Sequence, residues 1–129
     1  MKKNLIGVIM QAFYGNRTYV EIGEENIDHM LQGNTDKSMS LSYQPDRTII
    51  RIPGSQCVIL YNKYQEEEKR KQNARWKAED GYEAKPLAFM PEQGIEVYSR
   101  CFACRMSEDG VFESIKEEDC DLVFGYLMR

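Results

Sequence analysis

The sequence lacks several features on which functional assignments commonly rest. It has no apolar run approaching the roughly 18 residues of a membrane span, so no membrane-spanning helix is predicted. Gly7, Gly15, Gly23 and Gly33 stand singly, so none of them belongs to a glycine-rich phosphate loop. His29 is the only histidine, and no HExxH or paired-histidine motif exists. These absences leave no catalytic residue and no metal ligand to predict.

Basic residues are also not in excess. The 17 Lys and Arg side chains face 21 Asp and Glu side chains, giving a formal net charge of −4. A general nucleic-acid binder carries a basic surface excess, so that class is disfavoured. The 42% hydrophobic and 29% charged content is typical of an ordinary globular domain, and 129 residues suffice for one domain, residues 1–129.

Cysteines are few, and their spacing does not build a metal site. Cys101 and Cys104 form a CxxC motif, whereas Cys57 and Cys120 supply no second pair. The motif lies in a strand-like segment, where residues three apart point to opposite faces. We therefore expect buried, reduced thiols, no zinc and no cofactor. Because the first apolar stretch is too short for an export signal, a cytoplasmic location is expected.

Apolar periodicity and turn residues divide the chain into short strands and helices. Strands are predicted at residues 5–12, 18–22, 38–44, 48–52, 56–61, 86–91, 95–106 and 111–112. Helices are predicted at residues 24–33 and from Ser114 onward, where Ser114 and Glu117 form a capping box. Most connections are hairpin-length. The predicted class is therefore α+β, a mostly antiparallel sheet with a C-terminal helix and one short helix packed on one face.

Residues 62–85 are predicted to be a charged helical excursion within this domain. Residues 62–80 are dominated by Glu, Lys, Arg, Gln and Ala, without Gly or Pro, which favours a helix. Glu66 and Arg70 are a favourable pair four residues apart. Apolar residues form no wide stripe, so we expect an exposed helix that belongs to the interaction surface.

Four side chains of this excursion are candidate contacts with a partner protein. Trp76 is the only tryptophan of the chain, and Tyr64, Arg70 and Arg75 accompany it. Trp, Tyr and Arg are enriched among the residues that dominate binding energy at interfaces. The alternative is structural: Trp76 and Tyr64 would pin the helix to the sheet.

A second candidate site combines arginines with aromatic residues on predicted strands. Tyr98, Arg100 and Phe102 alternate onto one face of the strand predicted at 95–106, and Arg51 lies on another predicted strand. Arginine forks bind phosphates and aromatic rings stack on bases, so these residues are a candidate nucleotide site. The alternative is the outer face of a sheet with scattered arginines.

Acidic residues are concentrated between residues 107 and 121, with Lys116 as the one base among them. Three interpretations are open. The run could imitate the phosphate spacing of a nucleic acid, or its acids could suit the dipole at a helix N-terminus. With Asp28, some of them could hold a divalent metal in a hydrolase. The enzyme is the least favoured, because such local, exposed carboxylates are not expected to converge in a pocket.

Two parts of the chain carry a resemblance to a known family. The first is YVEI at residues 19–22, followed by a short helix that ends before Gly33; the second is residues 98–106 with an EDG turn and residues 112–119. Together they resemble a small domain of unknown function common in phage and plasmid genomes, although residues 62–85 are longer than that pattern. The resemblance implies an accessory protein of a mobile element, often a non-enzymatic inhibitor of host defence. It brings no catalytic residues.

The leading hypothesis is therefore a non-enzymatic binding protein that inhibits a host defence component by occupying a partner protein. The alternative is a nucleotide-binding module that sequesters a small phosphorylated signal, such as a cyclic nucleotide. Neither hypothesis involves a membrane, a cofactor or general nucleic-acid binding. Assembly into a homo-oligomer is left open.

Overall fold

A computed structural model describes residues 4–10, 17–32, 47–90 and 94–127 of the chain. In chain order these residues form β1 (Asn4–Met10), β2 (Arg17–Gly23), α1 (Ile27–Gln32), β3 (Arg47–Arg51), β4 (Cys57–Asn62), α2 (Lys63–Asp80), β5 (Ala88–Met90), β6 (Ile95–Val97), β7 (Cys101–Met106), β8 (Phe112–Glu113) and α3 (Cys120–Leu127). The predicted α+β class is confirmed. The strand predicted at 38–44 lies outside the described residues.

The longer strands form one antiparallel sheet in the order β2-β1-β7-β4-β3, and β8 pairs with the end of β7. Strands β5 and β6 form a separate two-stranded sheet. In the centre of the main sheet, Phe102 of β7 lies opposite Ile9 of β1 and Leu60 of β4. A late strand therefore joins two antiparallel pairs formed by earlier parts of the chain.

Both faces of the main sheet are buried, because β4 carries apolar side chains at successive positions. Val58 and Leu60 point to one face, where Ile27 of α1 packs. Ile59 points to the other face, where Val123 of α3 packs. The prediction that the two helices share one face is wrong, since a strand without alternating polar positions needs cover on both sides.

Helix α2 confirms the helix predicted at 62–80. It begins where the Asn62 side chain accepts a hydrogen bond from the Gln65 backbone N–H at 2.9 Å. It ends at Gly81, whose φ of 71° is left-handed and whose N–H donates to the carbonyl of Lys77. Glu66 is the buried residue of the helix, so α2 is largely exposed, as expected.

The single strand predicted at 95–106 is wrong. The structure has two strands there, β6 and β7, which belong to different sheets and are separated by residues 98–100. The backbone N–H groups of Tyr98 and Ser99 donate to the carboxylate of Glu66 instead of to a strand partner. This long-range contact turns the chain out of one sheet and into the other.

The predicted capping box at Ser114 and Glu117 does not form. The Ser114 hydroxyl oxygen instead accepts a hydrogen bond from the backbone N–H of Ile6 at 2.9 Å. A 3₁₀ turn, Glu117–Asp119, precedes α3. Helix α3 therefore begins later than predicted, because the chain around Ser114 first runs beside β1.

Candidate ligand-binding site

The start of α2 is anchored by one buried carboxylate. Glu66 is only 5% exposed, and it accepts hydrogen bonds from the backbone N–H groups of Tyr98 at 2.6 Å and Ser99 at 3.1 Å. Arg70, one turn later, places its Nε 3.4 Å from the same carboxylate, which confirms the predicted pair. These contacts hold the start of α2 against residues 98–99. The second half of α2 lies beside the segment that follows the helix.

Two adjoining cavities, of about 250 and 140 Å³, lie between α2, the segment after it and Tyr98. Both are lined by Asn73, Tyr82, Ala84 and Tyr98. Further lining comes from Arg70, Ala74, Lys77 and Glu83 in the first cavity and from Lys69, Trp76, Lys85 and Leu87 in the second. We call the two cavities together the α2 pocket.

Asn73 is the unusual member of this pocket. Both its amide nitrogen and its amide oxygen are buried, and neither has a hydrogen-bond partner among the residues that the structure describes. Leaving a buried polar group unpaired costs about 1–3 kcal/mol. A carboxamide presents donors and an acceptor side by side, so one planar ligand edge can satisfy both. Such a group in a cavity is a candidate recognition element.

Aromatic rings form much of the remaining wall. Trp76 and Tyr82 meet edge to face, with ring centroids 5.9 Å apart and an interplanar angle of 75°. Tyr98 lies under the guanidinium of Arg70, whose Cζ is 5.3 Å from the ring centroid. A hydrogen bond to the Glu96 carboxylate raises the pKa of Tyr98, so its hydroxyl stays neutral and donates. Flat aromatic rings of this kind accept a planar ligand by stacking.

Cationic side chains surround the rings. Lys69, Arg70, Lys77 and Lys85 line the pocket, and Glu83 is the acid that lines it with them. Glu83 pairs with Lys77 at 3.3 Å. Lys69 lies 5.4 Å from the centroid of the Trp76 ring. The lining therefore has a positive balance that favours an anionic ligand.

The predicted ligand set is not brought together. Phe102 is 0% exposed in the core, so the interpretation of an open face formed by Tyr98, Arg100 and Phe102 is wrong. The face does not exist because Tyr98 and Arg100 both lie before β7 begins. Arg100 donates to the Met30 carbonyl at 3.2 Å, and burial lowers its pKa. Arg51 donates to backbone carbonyls at 3.3 and 3.4 Å. Tyr98 alone reaches the pocket.

The predicted partner set divides in two. Arg70 and Trp76 line the α2 pocket, whereas Tyr64 and Arg75 are exposed on the helix away from it. Trp76 belongs to neither cluster of the hydrophobic core, so it does not pin α2 to the main sheet. The α2 pocket therefore contains Tyr98 from the predicted ligand set together with Arg70 and Trp76 from the predicted partner set.

Asn73 and Tyr82 line the pocket but are not among the site residues predicted from the sequence. An asparagine within a long polar helix looks like a solvated residue, and nothing in its neighbours signals burial. Tyr82 directly follows Gly81, where α2 ends. The only sequence signal for its packing on Trp76 is that two aromatic residues lie on either side of a glycine that ends a helix.

Asp119 and Arg105 form a second polar centre on a shallow surface beside Ser55 and Gln56. Their side chains meet at 2.6 Å. Burial alone would raise the pKa of Asp119, but hydrogen bonds from Arg105 and from the chain at Lys116 lower it. The charges satisfy each other, and the pair ties β7 to the turn before α3, which is a structural role.

Cys57, Cys101 and Cys104 are buried in the core, as expected. The expectation of a buried thiol is wrong for Cys120, which is only partly buried at the start of α3, where its thiol lies against the Tyr19 hydroxyl. Burial and the nearby Asp119 carboxylate raise the pKa of Cys57 to about 11, and burial raises that of Cys101 to about 12. Cys101 and Cys104 lie in the clusters on opposite faces of the sheet, which confirms the orientation predicted for the CxxC motif. Across the described ranges, no three metal-ligating side chains cluster.

Comparisons of the chain with protein-family models, with curated proteins and with solved structures gave no match. The resemblance to the phage and plasmid family stays a prediction. No helix in the described part of the chain is both long and apolar enough to cross a membrane. A function is therefore proposed from the geometry of the α2 pocket.

Proposed function

We propose that the protein is a non-enzymatic module that binds a small phosphorylated ligand with a planar, nucleobase-like ring in the α2 pocket. The observation that carries this proposal is the Asn73 amide, buried without a partner in the pocket wall. Buried polar groups in folded proteins are nearly all paired, and the exceptions call for an explanation. A ligand that supplies the missing hydrogen bonds is such an explanation.

The ring of the ligand has aromatic surfaces to pack on. Tyr82 is 54% exposed, so it presents a ring face or edge to solvent beside the cavity. Stacking of a base on an aromatic side chain contributes about 1–3 kcal/mol. Trp76 and Tyr98 bound the same space, which gives a planar group contacts on more than one side.

The phosphate of the ligand has cations within reach of the ring site. Lys85 and Lys69 line the smaller cavity, and Arg70 lines the larger one. Ammonium and guanidinium groups make charge-assisted hydrogen bonds to phosphate oxygens, which are stronger than neutral ones. We place this binding in the cytoplasm, where it would sequester a phosphorylated signal and not convert it.

A thermal-shift and calorimetric screen with mono-, di- and cyclic nucleotides tests the proposal. A ligand at 100 times its Kd should stabilise the fold by about 2.7 kcal/mol and raise the melting temperature by a few degrees. Lys69→Glu should weaken binding, while Lys63→Glu, an exposed lysine on the same helix outside the pocket, should leave binding unchanged. A flat response across the whole panel would contradict the proposal.

A second candidate function is occupation of a partner protein, as the resemblance to mobile-element accessory proteins implies. Tyr64 is 43% exposed, and Arg75 is exposed as well. Eleven residues are close to three helical turns, so both side chains lie on one face of α2. Tyr and Arg are favoured at interface hot spots. This face is separate from the pocket lining.

Mixing the purified protein with candidate host defence nucleases on a sizing column tests this second function. Co-migration that is lost in the double variant Tyr64→Ala, Arg75→Glu but retained in Asn73→Leu would assign the partner to the outer face of α2. A protein that is active in cells yet co-migrates with none of the candidates would exclude it.

A further inference from the structure

Asn73 lines both cavities of the α2 pocket, so its side chain is placed to determine which ligands the pocket binds. It lies three residues after Arg70 and four before Lys77, and all three line the larger cavity. Residues at these spacings are neighbours on one helix face. The amide is therefore flanked by cations along the helix, while the rings of Tyr82 and Tyr98 bound the same cavity.

The hydrogen-bonding groups of Asn73 complement one kind of base edge. The carboxamide accepts through its oxygen and donates through its nitrogen, and it pairs with an amino group next to a ring nitrogen, as on adenine. The guanine edge with two adjacent donors calls for a carboxylate instead. The carboxylate that lines the pocket is Glu83, and it is already paired with Lys77.

The Asn73 amide atoms are buried, so a ligand reaches them only if part of the surrounding pocket wall moves. Residues 82–85 line the same pocket. This segment follows Gly81, which has φ of +71° and no atom within 4 Å of the space a side chain would fill. Tyr82, at the start of the segment, contacts Trp76 edge to face. Lifting Tyr82 would open a path to Asn73 and change the surroundings of the chain's single tryptophan.

We infer that Asn73 is the specificity-determining residue of the α2 pocket, and that it selects an adenine-type base through a paired donor and acceptor. This inference rests on the proposed function. A good bidentate pair between an amide and a base discriminates against the wrong base by roughly 10- to 100-fold. Binding of the base lifts Tyr82 away from Trp76.

Titration of the protein with adenine, guanine and cytosine nucleotides, and with inorganic phosphate, tests the inference by calorimetry and Trp76 fluorescence. The wild-type protein should bind adenine nucleotides roughly 10- to 100-fold more tightly than guanine nucleotides, with a fluorescence change. Cytosine, which has the same donor and acceptor arrangement on a smaller ring, should bind less tightly but better than guanine. Phosphate alone should bind weakly and leave the fluorescence unchanged.

Three variants separate base recognition from the rest of the site. Asn73→Asp replaces the donor by an acceptor and should reverse the preference towards guanine. Asn73→Leu, of similar size, should abolish base preference, retain weak phosphate binding and raise the ligand-free melting temperature, because no amide is then left unpaired. Asn26→Asp, at an exposed position directly before α1, is the control and should behave as wild type.

The outcomes distinguish the inference from the proposed function. If wild-type protein binds nucleotides without base preference, or if the preference survives Asn73→Leu, the inference is overturned and the proposed function stands. If no nucleotide binds to the wild-type protein, the proposed function fails and the inference fails with it. Should Asn73→Leu not fold, Asn73→Asp and Asn73→Ser decide the same question.

Discussion

Two buried carboxylates, those of Glu66 and Asp119, each hold an irregular segment of the chain in place by accepting hydrogen bonds. The Glu66 carboxylate accepts hydrogen bonds from the backbone N–H groups of residues 98 and 99, which lie between β6 and β7. Asp119 receives the Arg105 guanidinium and a backbone N–H at the turn before α3. In both places a side chain takes over the hydrogen bonds that regular structure would otherwise supply.

Replacing Glu66 by Ala should cost about 2–4 kcal/mol of unfolding free energy. The substitution leaves the N–H groups of Tyr98 and Ser99 without their acceptor, and each orphaned group costs about 1–3 kcal/mol if it stays buried. Glu67→Ala, its exposed neighbour, should change stability by less than about 0.5 kcal/mol. Urea unfolding measures both, and equal losses would show that Glu66 anchors nothing.

Asp119→Asn should lower stability at pH 7 by about 1–3 kcal/mol, because it weakens a charge-assisted hydrogen bond to Arg105. The pKa of Asp119 is lower in the folded state than its ordinary value of 3.8. The stability it contributes is therefore complete above that ordinary value and is lost as the pH falls through the folded pKa.

The gap between wild type and Asp119→Asn should accordingly shrink below about pH 4. Urea midpoints at pH 7, 5 and 3 measure this gap. Asp121→Asn, at an exposed position two residues on, is the control and should change stability at pH 7 by less than about 0.5 kcal/mol. A constant difference at all three pH values would mean that Asp119 acts by shape and not by charge.

Among the elements, α2 is one whose helical conformation can be predicted from its own residues but whose position in the fold cannot. Its composition predicts the helix correctly, since helix-forming residues fill it and Gly81 ends it. Its place in the fold depends on Glu66, whose partners lie more than thirty residues further along the chain. No local pattern reveals that contact, and this is why the pocket beneath α2 could not be predicted.

Trp76→Ala should cost about 1 kcal/mol, well below the 3–5 kcal/mol of a core tryptophan. The ring is partly exposed, lies outside both core clusters and loses mainly its contacts with Tyr82 and Lys69. Chemical unfolding measures the stability, and the nucleotide titration should show weaker binding. A loss above about 3 kcal/mol would place Trp76 in the core and remove it from the site.

Strands β1 and β7 approach each other closely at Gly7. A Cβ atom there would lie 2.3 Å from Cζ of Phe102 and 2.5 Å from the Ala103 carbonyl oxygen. Gly7→Ala should therefore part the strands and cost at least about 1–3 kcal/mol. Gly125→Ala is the matched control: it has open space in α3 and should be neutral or stabilising. Thermal unfolding of the two variants should give shifts of different size.

At the scale of the whole molecule, the sequence predicts the class of fold but not the order of strands. Alternating and apolar runs with short connections indicate an antiparallel sheet. Nothing local shows that Phe102 will pair with Ile9, because that choice depends on which arrangement buries both faces of β4 and β7. Pairing of distant strands is a property of the complete core.

Amide hydrogen exchange should be slowest in β4 and β7. These strands have neighbours on both sides and lie between two buried layers. The second half of α2 should exchange much faster, because its exposed turns are held mainly by contacts at its start. Exchange followed by mass spectrometry resolves these segments. Protection in α2 equal to that of β7 would contradict this distribution of stability.

The central position of β7 has a consequence for the nascent chain. At translation rates of about 5–20 residues per second, the roughly forty residues between the end of β4 and the start of β7 take about 2–8 s to make. During that time β1 and β4 each expose the edge that will later pair with β7. Unpaired edges are where chains associate wrongly. The highly charged α2 is translated in this same interval, so the ribosome adds a water-soluble helix to the chain while its sheet is still open.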